Sequence, residues 1–599
     1  MNKKKAGESS CRLPESRPAA AHGFLRRTII DPLPVSRIIK DESFLLCLIA
    51  VLTGVLAGYT AVGFRCMVNV ISNIAMFQNF SIASVDPRLH TNGYCIILVP
   101  AAGGLVVGLL VRFFAREAKG HGVPEVMEAV VKKHGIIRPR LVLVKALASA
   151  VCIGTGGSVG REGPIVQVGS ALGSTIGQVI KIRPDLLKIV VACGAAGGIS
   201  ATFNTPISGV IFAFELLLFE FKTRSFIPLV IASVFGTIIS RIYLGHNPAF
   251  IVPSYTLVSP LELFFYLGLG VIAAFVAIAE VKILYRVEDA FDRLRIPEWI
   301  KPVIGGLLIG VIALQFPGIM GIGYHGVGDA LTEQLPVMVL LSLAAMKIIA
   351  LSITIGSGGS GGVFAPTLFI GSMVGGAYGC FIHGLFPDMT ASYGAYALVG
   401  MAAVFAGATR ATLTAIIMLF EMTMDYDIIL PLMFSCVVAD LITWKLQKET
   451  IYTKKIARRG TYIPADMQVN ILDVKIAADI MARDIITVTP DMTVSEYEKS
   501  IKPSGHHGFP VVSDGELIGI VSDHDITACK EIGETDFTIM NLMQDKIVTA
   551  YPSSSLQSVF KSMLNLNISH VPVVDFKNPK KLVGFITKRD ILTVLDEEI

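Results

Sequence analysis

Long apolar stretches with almost no charge recur through the first three quarters of the chain, at 43–64, 93–111, 189–214, 264–279, 303–324, 389–409 and 428–444. A run of about 20 such residues spans the hydrocarbon core of a bilayer as a helix. Only helices and closed barrels satisfy every backbone N–H and C=O there without water. The composition agrees: 53% of the 599 residues are hydrophobic and 16% are charged, where a soluble chain carries about 25% charged residues. A net charge of +4 gives no reason to invoke nucleic acid. The nine cysteines include no CxxC pair, so neither a disulfide framework nor a zinc site is expected. No nucleophile–base or metal constellation appears, so an enzyme is not expected.

Three regions follow. Residues 1–40 read as a polar, flexible cytoplasmic tail, residues 41–456 as the membrane domain, and residues 470–599 as a cytoplasmic α/β region. Basic residues flank the membrane part: Lys3, Lys4, Lys5, Arg26 and Arg27 before it, and Lys445, Lys448, Lys454, Lys455, Arg458 and Arg459 at its end. The tendency of basic loops to stay inside reads both termini as cytoplasmic, and the lack of other targeting signals favours a plasma or bacterial inner membrane. The last region repeats itself, at about 475–532 and 536–599. Each copy runs from a Met-containing helix start (Met481, Met543) to a Pro-Val-Val strand (Pro510, Pro572), then a Ser or Thr with an Asp three residues on.

An anion path must attract negative charge at low dielectric without trapping it. Helix N-termini do this, offering free N–H groups and about half a positive charge, and glycine lets the backbone come close. Three Gly-rich turns fit, each opening a helix: 120–125 (GHGVPE), 156–164 (GGSVGREGP) and 358–366 (GGSGGVFAP). Proline near each helix start suits the first turn. The last two turns lie about 200 residues apart, the pattern of an inverted repeat with its site at the midplane.

GREGP, GGVFAP, the GxGxPE turn and Thr450-Ile451-Tyr452 resemble the CLC chloride channel and transporter family, over residues 40–460. The repeat behind them resembles a tandem of CBS domains. The resemblance implies an all-α polytopic domain built as an inverted repeat with broken helices, followed by an α/β CBS pair. It implies a homodimer in the bilayer with one pore per subunit and no required cofactor. By the same resemblance the gating carboxylate is Glu162, and anion contacts come from His121, Gly160, Arg161, Glu162, Val363, Phe364 and Tyr452, with Lys145 adding positive potential. In the tail, Ser522 with Asp525 and Thr587 with Asp590 match positions that can hold the ribose of an adenine nucleotide; as plain chemistry, each Asp also caps the following helix.

Two departures bear on mechanism. His121 stands where many family members have Ser, and imidazole can donate an N–H or become cationic near neutral pH. The exchangers' internal proton-carrying residue corresponds to Leu216, which carries no proton, leaving Glu215 as a possible proton path. The expectation is therefore a chloride channel gated by Glu162, with chloride/proton antiport as the alternative.

Overall fold

The computed structural model describes residues 42–91, 93–219, 221–245, 253, 255, 257–460, 472, 475–502, 506–531, 537–576 and 578–596. The expected 1–40 tail lies outside the described residues. The chain divides into two compact units, Met1–Asp466 and Met467–Ile599.

The described residues of the first unit form helices joined by turns, and eight of these helices are long and apolar enough to cross a membrane. The apolar run at 189–214 is not one span. It divides into the helices Pro184–Phe203 and Pro206–Ala213, with Asn204 left-handed (φ 64°) between them. Proline lacks the N–H a continuing helix needs and pushes its predecessor out of the helical region. The run at 303–324 likewise breaks, into the helix Lys301–Gln315 and a 3-10 turn Pro317–Ile319. Conversely, the spans Thr223–Leu244 and Val337–Gly356 escape a search for uncharged runs, because one carries Arg224 and Arg241 and the other buries Lys347.

Small residues bring the helices together, as membrane packing without a hydrophobic drive requires. A Cβ on Gly169 of the helix Glu162–Ile180 would lie 2.2 Å from the Gly194 carbonyl oxygen of Pro184–Phe203, and one on Gly194 would lie 2.0 Å from Gly169. The second half repeats the device: Gly371 and Gly400 block each other at 2.4 and 2.5 Å between Phe364–Leu385 and Tyr393–Thr409. A side chain at any of the four would force the pair apart.

The halves also finish one another's helices. Glu215 accepts the backbone N–H groups of Leu413 (3.1 Å) and Thr414 (2.8 Å) and the Thr414 hydroxyl (2.6 Å), at the start of Thr412–Thr423. Glu421, at the far end of that helix, accepts Ile207 N–H (2.9 Å), Ser208 N–H (2.7 Å) and the Ser208 hydroxyl, at the start of Pro206–Ala213. The first N–H groups of a helix have no intrahelical acceptor, and a carboxylate there also meets the favourable end of the helix dipole.

The second unit holds two antiparallel hairpins: β1 (Gly508–Ser513) with β2 (Glu516–Ser522), and β3 (His570–Val574) with β4 (Leu582–Thr587). The repeats are interleaved. Met481 of the first packs on Gly584 in β4, and Met543 of the second packs on Gly519 in β2. Ala477 accordingly joins the buried cluster of Val571, Val573 and Ile586, while Ile539 joins that of Val511 and Val521.

Candidate functional site

The three Gly-rich turns meet at one place. Gly160 N–H donates to the Gly362 carbonyl and Gly362 N–H to the Gly160 carbonyl, both at 2.7 Å. Gly120 N–H donates to Gly359 (3.0 Å), and Gly361 N–H returns to Gly120 (3.2 Å). The turns therefore lock together by backbone alone, and they open the helices Val123–Lys132, Glu162–Ile180 and Phe364–Leu385 around a common centre. Gly163 must be glycine, since a Cβ there would lie 2.1 Å from the His121 carbonyl oxygen.

Glu162 is 1% exposed and lies at the start of another helix than its own. Its Oε2 is 3.4 Å from the Ala365 N–H, in the first turn of Phe364–Leu385, and its Oε1 accepts the Tyr324 hydroxyl at 2.7 Å. Arg161 Nε stands 3.9 Å from Oε1, with the guanidinium 5.0 Å from the centre of the Tyr324 ring. The carboxylate thus takes a place that suits an anion: a helix start with unpaired donors. Val363 and Phe364 supply that helix start and are buried, as is Tyr452, which lies within electrostatic reach of Glu162. Gly160 lets the carboxylate in, because a Cβ there would be 2.3 Å from Oε2. Beyond Tyr324 opens a cavity of about 260 Å³ lined by Arg65, Asn69, Arg161, Tyr324 and His325 among others.

Lys145 is fully buried, and its Nζ donates to the carbonyls of Ala118 (3.0 Å) and Gly120 (2.8 Å). The structure adds a counterpart that the motifs did not reveal. Lys347, also fully buried, donates to the carbonyls of Ile319 (2.9 Å) and Gly321 (3.0 Å). A fourth glycine turn goes with it: Gly321 and Gly323, at φ 59° and 91°, open the helix Tyr324–Leu331. Each lysine precedes its GGS turn by eleven residues, and each Gly-x-Gly precedes its lysine by about two dozen. Tyr324 and Lys347 were therefore open to discovery by overlaying the halves.

The His121 ring stacks against Tyr285 (centroids 6.3 Å apart, 15° between planes), with both ring nitrogens buried and lacking a partner among the described residues. The neighbouring Gly122 N–H is taken by Glu125 at 3.0 Å, and Glu125 in turn pairs with Arg459 at 2.9 Å. Glu215 is occupied at both oxygens by the capping described above, and Leu216 beside it is buried.

Residues 103–443 match the protein family described as Voltage gated chloride channel, more than half of the chain. The chain belongs to that family. CBS domains match at 477–530 and 539–597. This CLC protein is 31% identical over 427 residues to the H(+)/Cl(-) exchange transporter ClcA of Yersinia pestis, covering 70% of this chain and 89% of that one. It is 36% identical over 431 residues to the chloride channel protein CLC-e of Arabidopsis thaliana, covering 66% and 59%. Among solved structures it is similar to a slow cyanobacterial Cl-/H+ antiporter, with TM-score 0.63 and 29% identity over 69% of this chain and 97% of that one. A eukaryotic CLC transporter shares the fold over 92% of this chain, with TM-score 0.60 and 19% identity. The CLC protein is thus an integral membrane protein of an anion-transporting family, not an enzyme family.

In the CBS unit, Asp525 accepts the Ser522 N–H (3.0 Å) and hydroxyl (2.6 Å), and Asp590 accepts the Thr587 N–H and hydroxyl, both at 2.8 Å. Ser522 and Thr587 accept the N–H groups of Asp525 (3.4 Å) and Asp590 (3.3 Å) in return, so each pair closes a capping box at the start of the helix after its hairpin. Ser522 and Asp525 also line a cavity of about 470 Å³ with His507, Lys546 and His570 among others; Thr587 and Asp590 do not line it. Burial holds the His570 imidazole below its ordinary value, and the nearby His507 adds to this.

Proposed function

We propose that the chain exchanges chloride for protons across its membrane, with Glu162 as the group that carries the proton and shuts the anion path. The observation that carries this is the Glu162 carboxylate on the Ala365 N–H, in the place of an anion. Ionised, it competes with chloride for the same donors; protonated, it loses that attraction and yields its place. Tyr324 holds it toward the cavity, where protons can reach it. The exchange transporter ClcA and the cyanobacterial Cl-/H+ antiporter among its relatives support exchange. Val363, Phe364 and Tyr452 serve the anion, Gly160 and Arg161 shape the approach, and His121 offers an N–H lacking an acceptor among the described residues. Lys145 contributes potential. The protein works as a homodimer, with the basic segment 445–459 on the cytoplasmic side.

A channel is the second reading. Leu216 favours it, because an apolar side chain passes no proton, and Glu215 is committed to a helix start. Vesicles containing the purified chain and a chloride gradient decide between them. Exchange moves protons uphill as chloride runs down, and the reversal potential shifts with pH at fixed chloride; a channel leaves both unchanged.

We further propose that the cavity beside Ser522 and Asp525 takes an adenine nucleotide, its phosphates facing Lys546, His507 and His570. Fluorescent-ATP titration is expected to show binding that strengthens toward acid pH, below the ordinary imidazole range, where the His570 ring that burial holds low takes up a proton and attracts phosphate. Asp525→Ala should reduce it about tenfold or more, by removing a ribose acceptor and loosening the helix it caps.

A further inference from the structure

Glu280 lies inside the helix Glu262–Arg293, eight residues (about 12 Å) from Glu288 and eighteen (about 27 Å) from Glu262, at 1.5 Å per residue. Glu288 pairs with Lys455 of the basic exit segment at 3.3 Å, so Glu280 stands inside the membrane, nearer the basic face. It is fully buried, and among the described residues no cation lies within ion-pair distance of it. The Thr367 hydroxyl lies 2.5 Å from its Oε1, while Oε2 is buried without a hydrogen-bond partner among the described residues. Tyr452 lies within electrostatic reach of both Glu162 and Glu280.

Thr367 makes this position consequential. Its hydroxyl also lies 2.9 Å from the Val363 carbonyl, at the helix start where the anion contacts are expected. A hydroxyl has one hydrogen and cannot donate to both. When it serves Val363, Glu280 must be the acid that donates to Thr367; when Glu280 is ionised, the hydroxyl turns to it and releases Val363. The protonation state of Glu280 is thus felt by the peptide that frames the anion contact. A carboxyl group at this depth, with one oxygen unpartnered, is costly and functional by default.

We propose that Glu280 is the proton-loading residue on the basic-face side, doing from the helix Glu262–Arg293 what Leu216 cannot do. The proposal rests on the exchange reading above. A proton entering from that face adds to the Glu280 carboxylate; the neutral acid passes it through the anion path to ionised Glu162, regenerating the Glu280 carboxylate. Glu162, now neutral, leaves the Ala365 N–H and an anion takes its place.

The test uses the full chain in vesicles, reading chloride efflux and proton uptake together. Glu280→Gln keeps the shape and the donor to Thr367 but accepts no proton. Chloride efflux is expected to continue, because Glu162 can still protonate from the cavity side, while proton movement per chloride falls about a hundredfold. Thr367→Val, isosteric and lacking the hydroxyl, is the second arm, and its proton-to-chloride ratio should fall several-fold. If Glu280→Gln yields no folded protein, Glu280→Asp should stay coupled at a lower rate, and Thr367→Val decides. A wild type that moves protons, with both variants at its ratio, overturns the role of Glu280 and leaves exchange standing. A wild type that moves no protons overturns both.

Discussion

Glu162→Gln is expected to abolish proton movement while leaving chloride movement open and insensitive to pH. Glutamine has the size of glutamate, so packing against Tyr324 and Gly160 persists. It carries no charge, so it no longer competes with chloride for the donors of Phe364–Leu385, and it has no proton to exchange. Removing a positioned proton-transfer group costs about a hundredfold or more. Chloride and proton fluxes in vesicles between pH 4.5 and 7.5 check this. The wild type should speed up as pH falls, because acid drives Glu162 toward its neutral, yielding form; the variant should be flat. A pH-dependent variant flux would place the gate elsewhere. Tyr324→Phe should lie between the two, since it frees one carboxylate oxygen and leaves the group ionisable.

The second large effect concerns the buried lysines. Lys145→Met and Lys347→Met are each expected to weaken chloride binding about tenfold or more, the worth of one charge at about 10 Å in an effective dielectric near 20, roughly 1.7 kcal/mol. Lys347→Met also takes the ammonium from the Ile319 and Gly321 carbonyls, at about 1–3 kcal/mol apiece. The carbonyls bonded by Lys145 keep the Ser360 hydroxyl and the Gly361 N–H. In both variants, removing a buried charge returns part of the cost. The two lysines anchor different loops, one beside Gly120 and one beside Gly321. Their effects on chloride affinity should therefore add. Calorimetric titration of chloride into the single and double variants measures this. Unchanged affinity in Lys347→Met would mean that the second lysine only ties down its loop.

Much of the site was legible because the chemistry left a mark in short motifs. Glycines flanked by proline mark helix starts, and their convergence at Gly160 and Gly362 follows from needing close backbone approach. What escaped did so for physical reasons. Tyr324 and Lys347 sit outside any motif, and only the relation between the halves exposes them. Glu280 hid inside the continuous helix Glu262–Arg293, just past an apolar run, where a single acid reads as its end. Glu215 stood as a possible proton path, and which helix start it serves stayed hidden, because a contact across 198 residues cannot be read from local spacing. The apolar run at 189–214 misled because hydropathy does not register that Asn204 and Pro206 end one helix and begin another.

The exchange of caps between Glu215 and Glu421 has a consequence for how such a chain is made and inherited. Each half lacks the piece that completes one of its own helices and finds it only in the other. A fragment ending near residue 245 would lack the carboxylate that accepts the first N–H groups of Pro206–Ala213. The two halves are thus obligate companions: translation must deliver both before either is finished, and a gene split between them would have to rejoin its products in the membrane.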